Sequence, residues 1–167
     1  MTNDPVEKRI GEALRNRDET VAVAESCTGG LVGSLLTDVP GSSAYFDRSL
    51  VTYSYDAKRE LLAVSREALD EHGAVSEPVA REMARAVRDT AGTDWGVATT
   101  GVAGPTGAGP ETPVGTVYIG VAHAAPWETG ESTSSVAHYE FEGSRTDVKA
   151  KIARQALGDL LENVQNQ

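Results

Sequence analysis

The stretch Thr20-Val21-Ala22-Val23-Ala24-Glu25-Ser26-Cys27-Thr28-Gly29-Gly30-Leu31-Val32-Gly33-Ser34-Leu35-Leu36 passes from a strand pattern to a helix pattern across two glycines. Residues 20–25 read as a short buried strand, and Leu31, Val32, Leu35 and Leu36 recur at helical spacing. Ser26 therefore falls at a strand's carboxyl end. Gly29 and Gly30 let the backbone turn sharply and let a ligand come close, while the new helix offers unpaired N–H groups and a positive dipole end. Such a junction suits an anion or an oxyanion. Thr28, Gly29 and Gly30 are thus candidate substrate contacts, with helix capping the alternative for Thr28. For Ser26 itself the alternative to a chemical role is a local turn hydroxyl.

Outward from this junction, Val6, Ile10 and Leu14 mark a first amphipathic helix, and the helix after Gly30 ends near Val39-Pro40-Gly41. Residues 49–54 form a strand pattern, followed by helices at 56–62 and 66–72, the latter stopped by Gly73. Ser76 is the expected cap of a helix carrying Val79, Met83 and Val87. Residues 94–100 are strand-like and buried. A loop at 101–113 holds four glycines and three prolines, and loops of that length are commonly binding loops or lids. Strand patterns at 114–124 and 133–141 follow, and Ser144-Arg145-Thr146-Asp147 resembles a capping box opening the last helix. Alternating elements early and neighbouring strands late predict a mixed sheet with helices on both faces, in one unit spanning 1–167. Three strand exits, after Glu25, after Tyr53 and before Gly101, converge on one expected crevice.

Composition excludes several classes of partner. The formal net charge of −10 and the lack of any basic cluster argue against nucleic acid. No apolar run approaches the ~18 residues of a membrane span, and the charged start does not resemble a signal peptide, so a soluble cytoplasmic protein is expected. The lone Cys27 has no internal disulfide partner and agrees with a reducing compartment. Four lysines stand against eleven arginines in an acidic chain, which suggests a high-salt cytoplasm, an ordinary acidic protein being the alternative. Three scattered histidines make a metal site improbable. No G-x-S-x-G, S-x-x-K, P-loop, G-x-G-x-x-G, HExxH or CxxC pattern occurs.

A serine nucleophile needs a base, and the candidates are His72, His123, His138, the carboxylates and Lys58. Lys58 is best placed, about one turn into the helix after the 49–54 strand. Burial lowers a lysine pKa, and serine-lysine pairs are a known variant of the triad. The alternative is a solvated lysine paired with Asp56 or Glu60. Cys27 competes as nucleophile, although a lone buried cysteine is commonly a small core residue. Tyr53 is read either as a site residue or as core packing. Arg145 sits where the helix dipole opposes a cation, so an anion should face it, either a ligand phosphate or carboxylate or a protein carboxylate. Thr99, Thr100 and Gly101 open the long loop and are candidate donors to substrate, with strand filler the alternative. His72 most simply meets the end of its own helix.

With Ala24-Glu25-Ser26-Cys27-Thr28-Gly29-Gly30, Gly41-Ser42-Ser43, Val51-Thr52-Tyr53-Ser54, Ala57-Lys58, His72-Gly73-Ala74-Val75-Ser76-Glu77, Gly101-Val102-Ala103-Gly104-Pro105 and Pro113-Val114-Gly115-Thr116-Val117 in order, the chain resembles the CinA C-terminal domain family. The resemblance covers nearly the whole chain. It implies a three-layer α/β/α sandwich with a mixed, mostly parallel sheet, and nicotinamide-nucleotide amidohydrolase activity that turns nicotinamide mononucleotide and water into nicotinate mononucleotide and ammonia. Carried over, the nucleophile falls on Ser26 and the base on Lys58, with Tyr53, Thr100 and Arg145 supporting or binding. No cofactor is implied.

In the expected mechanism Lys58 is kept neutral by burial and neighbouring positive charge, and N–H groups near Gly29 and Gly30 hold the oxyanion. Arg145 pairs with the substrate phosphate. Tyr55 departs from the family, whose members commonly have Asn there, and this bears on substrate choice. Many relatives also carry an N-terminal molybdopterin-binding-like domain associated with a pyrophosphatase, and that activity is expected to be absent. A noncatalytic nucleotide-binding or regulatory module is the rival reading, and a homodimer is allowed by strand edges and long helices.

Overall fold

Alternate residues of the central strand β1 (Val21–Glu25) face two different apolar layers. Val21 and Val23 join a cluster with Ile10, Leu36, Ile152 and Leu160, whereas Ala22 and Ala24 join one with Leu62, Leu69, Val79 and Met83. A sheet covered on both faces follows from that two-residue period. The structure, a computed structural model, describes residues 3–110 and 112–167. Glu111 of the expected loop and the first two residues of the expected single unit lie outside the described residues.

In chain order the elements are α1 (Val6–Arg17), β1, α2 (Leu31–Thr37), a 3-10 turn at Ser42–Ala44, β2 (Phe46–Val51), α3 (Tyr55–Leu62), α4 (Arg66–His72), α5 (Glu77–Ala91), β3 (Trp95–Gly101), β4 (Thr116–His123), β5 (Thr133–Glu140) and α6 (Arg145–Gln165). The five-stranded sheet runs β2-β1-β3-β4-β5. Strand β1 is parallel to both β2 and β3, while β3–β4 and β4–β5 are antiparallel. Four strands thus point one way and β4 the other, although the pairings divide evenly. The chain leaves β1 leftward through α2 and returns rightward over it through α3, α4 and α5. Opposite directions with one crossover hand require opposite faces. Accordingly α1, α2 and α6 cover one face and α3, α4 and α5 the other. This is the α/β, three-layer α/β/α sandwich with a mixed sheet.

The two layers differ in thickness. On the α5 side the sheet presents Ala22, Ala24, Gly96, Ala98, Gly120 and Ala122, so the helix backbone comes very close. A Cβ on Gly96 would meet the Ala84 carbonyl at 2.2 Å, and one on Gly120 the Ala80 carbonyl at 2.6 Å. The other face carries the bulk, with Val97, Val117, Ile119 and Val121 beneath α6.

Two local expectations are corrected. Strand β2 lies at 46–51, earlier than 49–54, because Thr52 donates its N–H to the Glu25 carbonyl at 2.7 Å and the chain then turns. Ser54 caps α3 there, its hydroxyl accepting from the Ala57 N–H at 3.0 Å. Ser76 occupies the N-cap position of α5, but its hydroxyl donates to the Gly73 carbonyl at 2.9 Å and caps nothing. The capping box of α6 forms with Ser144 and Asp147. Among the described residues no helix is long and apolar enough to cross a membrane.

Candidate active site

The carboxyl ends of β1, β2 and β3 meet where Ser26 donates its N–H to the Thr99 carbonyl and Thr52 donates to that of Glu25. Above them lies a cleft of about 400 Å³ whose wall includes Ser26, Tyr53, Tyr55, His72, Thr100 and Arg145. Behind Ser26, which lines this cleft, the buried Lys58 Nζ stands 2.8 Å from the Ser26 Oγ. Two main-chain carbonyls complete the shell of that nitrogen, Thr52 at 2.8 Å and Tyr53 at 3.2 Å.

Lys58 is 1 % exposed and forms no ion pair with Asp56 or Glu60. It points inward because Ser54 starts α3 directly after the β2 turn, and a residue one turn into that helix faces back under the strand ends. Burial lowers its pKa to about 8, offset in part by the Cys27 thiol. No positive neighbour contributes, so the expectation of a neighbouring cation is corrected. The chemistry of the site follows from counting hydrogens. A neutral amine spends two on the carbonyls and keeps a lone pair toward the Ser26 hydroxyl, and an ammonium fills all three contacts as donor.

Glu25 is the residue the reading of the sequence missed. Fully buried, it accepts from Thr28 Oγ1 at 2.7 Å, Ser49 Oγ at 2.6 Å, and the N–H groups of Gly30, Val32 and Gly33 at 3.1, 2.9 and 3.0 Å. The protein's own carboxylate thus occupies the start of α2. An acid on the last strand position before a glycine turn and a helix was the available signal.

This overturns three expected substrate contacts. Thr28 is 1 % exposed, and its hydroxyl lies between Glu25 and Thr99, away from the cleft. The Gly30 N–H is engaged by Glu25 and that of Gly29 by the Ser26 carbonyl. Neither remains for an oxyanion. Among the described residues, the N–H groups of Cys27 and Thr28 reach no acceptor in another residue.

The remaining candidates divide by contact. Tyr53, expected in a strand, follows β2 instead, 60 % exposed; it touches Lys58 through its carbonyl and lines the cleft with its ring. Its hydroxyl accepts from the Arg145 Nη2 at 3.1 Å, and the Arg145 Nη1 donates to the Gly104 carbonyl. Arg145 therefore ties the 102–115 loop to the β2–α3 turn, without a carboxylate partner among the described residues. Thr100 and Gly101 line the cleft. The Thr100 hydroxyl donates to the Ala74 carbonyl at 2.8 Å, so its proton is committed to the α4–α5 connection rather than to a ligand. Tyr55 begins α3 and accepts from the Ala74 N–H at 3.2 Å, closing the same wall. His72 lies in the last turn of α4 and also lines the cleft, 3.8 Å from Glu71. Cys27 is buried, and burial pushes its thiol up to about 12. That thiol is no nucleophile at neutral pH.

The fold and this cleft define an α/β protein with a buried serine-lysine pair at its strand ends. Residues 3–164 match the CinA C-terminal domain, and the chain belongs to that family. It is 50 % identical over 156 residues to a CinA-like protein of Chlorobaculum tepidum, covering 93 % of this chain and 36 % of the relative. A CinA-like protein of Salinibacter ruber is 49 % identical over 152 residues, covering 91 % and 35 %. The chain spans about a third of the length of the curated relatives it matches. Among solved structures, a competence-damaged protein (CinA) superfamily protein from Klebsiella pneumoniae superposes with a TM-score of 0.89 at 33 % identity, over 97 % of each chain. The competence/damage inducible protein CihA from Agrobacterium tumefaciens gives 0.84 at 36 % identity over all of both chains.

Proposed function

We propose that the chain is a nicotinamide mononucleotide amidohydrolase, releasing ammonia and nicotinate mononucleotide through Ser26 activated by Lys58. One observation carries the reading: the buried 2.8 Å contact between Lys58 Nζ and the Oγ of Ser26, which lines the cleft, with no carboxylate hydrogen-bonded to either among the described residues. A lysine hidden in this way costs stability, and buried titratable groups of that kind beside a cleft cluster at functional sites. Neutral Lys58, its hydrogens held by the Thr52 and Tyr53 carbonyls, takes the Ser26 proton as Oγ attacks the carboxamide carbon. The oxyanion is received by the N–H groups of Cys27 and Thr28, which follow Ser26 in the chain and reach no acceptor in another residue. The resulting ammonium of Lys58 gives its proton to the departing nitrogen, the C–N bond breaks, and ammonia leaves an ester on Ser26. Lys58, neutral again, takes a proton from water as the water oxygen attacks that ester; the bond between the acyl carbon and Oγ then breaks, Lys58 returns the proton to Oγ, and the acid leaves with serine and neutral amine restored.

The cleft's phenol rings suit a cationic pyridinium ring, and Arg145 suits a phosphate. Ammonia release from purified protein and nicotinamide mononucleotide tests the reading. Ser26→Ala should abolish it while nucleotide still binds. Undiminished turnover in that variant refutes the mechanism, and binding without turnover in the wild type points instead to a nucleotide-binding module.

A further inference from the structure

Two buried side-chain oxygens that find no hydrogen-bond partner among the described residues, the Tyr45 hydroxyl and Glu7 Oε2, belong to residues lining one cavity. That cavity, of about 350 Å³, lies between the start of α1 and the connection from α2 to β2, and it shares no lining residue with the cleft at Ser26. A buried hydroxyl left unpaired costs stability, and phenylalanine would fill the same space without that cost. Tyr45 is 1 % exposed and held from three sides. Its N–H donates to the Ser42 carbonyl at 3.1 Å, its carbonyl accepts from the Val21 N–H at 2.8 Å, and the Arg15 guanidinium lies 5.8 Å over its ring.

Helix α1 carries a second cost at the same point. Gly11 lies inside the helix, where glycine is unfavourable, and a Cβ there would stand 2.4 Å from the Tyr45 hydroxyl oxygen. The glycine leaves room for that hydroxyl against the cavity wall. Glu7 stands one turn earlier on the same face of α1, a spacing at which side chains are about 5–6 Å apart. A single planar polar group spans such a gap.

The two oxygens have opposite needs. A carboxylate oxygen only accepts, so Glu7 calls for an N–H, while a phenol can donate, so Tyr45 calls for a carbonyl. Pro5, Val39 and Pro40 give the cavity an apolar wall beside them, and its volume falls in the range of roughly 300–1,000 Å³ found for small-molecule sites. We propose that this cavity is a second ligand site, for a small planar carboxamide carried on an apolar ring, its carbonyl accepting from the Tyr45 hydroxyl and its N–H donating to Glu7. The site stands independently of the chemistry at Ser26.

Benzamide is the probe, and acetophenone, of similar shape but without an N–H, is the control. Residue-resolved NMR titration compares wild type, Tyr45→Phe and Glu7→Leu. Tyr45→Phe removes only the unpaired oxygen, so the unliganded variant should melt no lower than wild type. Benzamide should displace the amide signals of residues 5–15 and 38–45 in the wild type, with roughly tenfold weaker binding in each variant, as for loss of one hydrogen bond, and acetophenone should bind wild type as weakly as benzamide binds Glu7→Leu. No displaced signals at about 10 mM benzamide, displacement confined to residues of the Ser26 cleft, or equal affinity in all three proteins overturns the assignment.

Discussion

Glu25 and Gly33 lie eight residues apart, yet the Glu25 Oε2 accepts the Gly33 N–H at 3.0 Å, which locks the last residue of β1 to the first turn of α2. The turn between them, residues 26–30 with Ser26 included, is pinned at both ends. Ser49 fastens the same oxygen from β2 at 2.6 Å, so the nucleophile turn is also registered against the strand that leads to Lys58.

Glu25→Gln keeps the shape and exchanges an acceptor oxygen for a donor among five donors. Leaving buried donors unpaired costs about 2–4 kcal/mol. The variant should melt lower by urea or heat and lose turnover together with stability. A change within ~0.5 kcal/mol would show that the carboxylate does not hold the turn.

Lys58 links stability to pH. Its pKa is depressed from 10.5 to about 8 on folding, so between those values the unfolded chain binds the extra proton. Stability contributed at this site therefore rises with pH through the window and is constant below it. Relative to Lys58→Met, the wild type should gain by up to about 1.4 kcal/mol per pH unit between pH 8 and 10.5. Parallel stability curves for the two proteins there would mean that the amine is not buried as described.

The close approach of α5 to the sheet predicts a sharp steric limit. Gly96→Ala puts a methyl 2.2 Å from the Ala84 carbonyl, and helix and strand must separate. A loss of about 3 kcal/mol or failure to fold is expected. A mild effect, below ~1 kcal/mol in chemical denaturation, would contradict the packing.

The acidic surface predicts a response to salt. Self-repulsion among the excess carboxylates weakens as the screening length falls from about 10 Å at 0.1 M to about 3 Å at 1 M. The melting temperature should rise steadily into molar potassium chloride. A flat or falling curve removes the proposal of a high-salt cytoplasm.

What could be read from the chain alone was what depends on short range. The strand-glycine-helix pattern around Ser26 and the capping box at Ser144 are local, and both stand where expected. The meeting of Ser26 with Lys58 was approachable because each follows a strand, and parallel strands bring their exits together. Thr28 and the Gly29-Gly30 amides escaped because their partner, Glu25, is an acid that sequence patterns assign to solvent, and only the folded turn shows it facing inward. Tyr53 was read as a site residue or as core packing, and the shift of three residues in β2 takes it out of the strand and onto the cleft wall.

The central claim is that neutral Lys58 takes the Ser26 proton, and the pH dependence of kcat/KM for ammonia release tests it most directly. The account predicts a tenfold rise per pH unit at acid pH, levelling above about pH 8 where burial has set the amine's pKa. A profile flat from pH 6 to 9, or one falling as pH rises through 8, would contradict it.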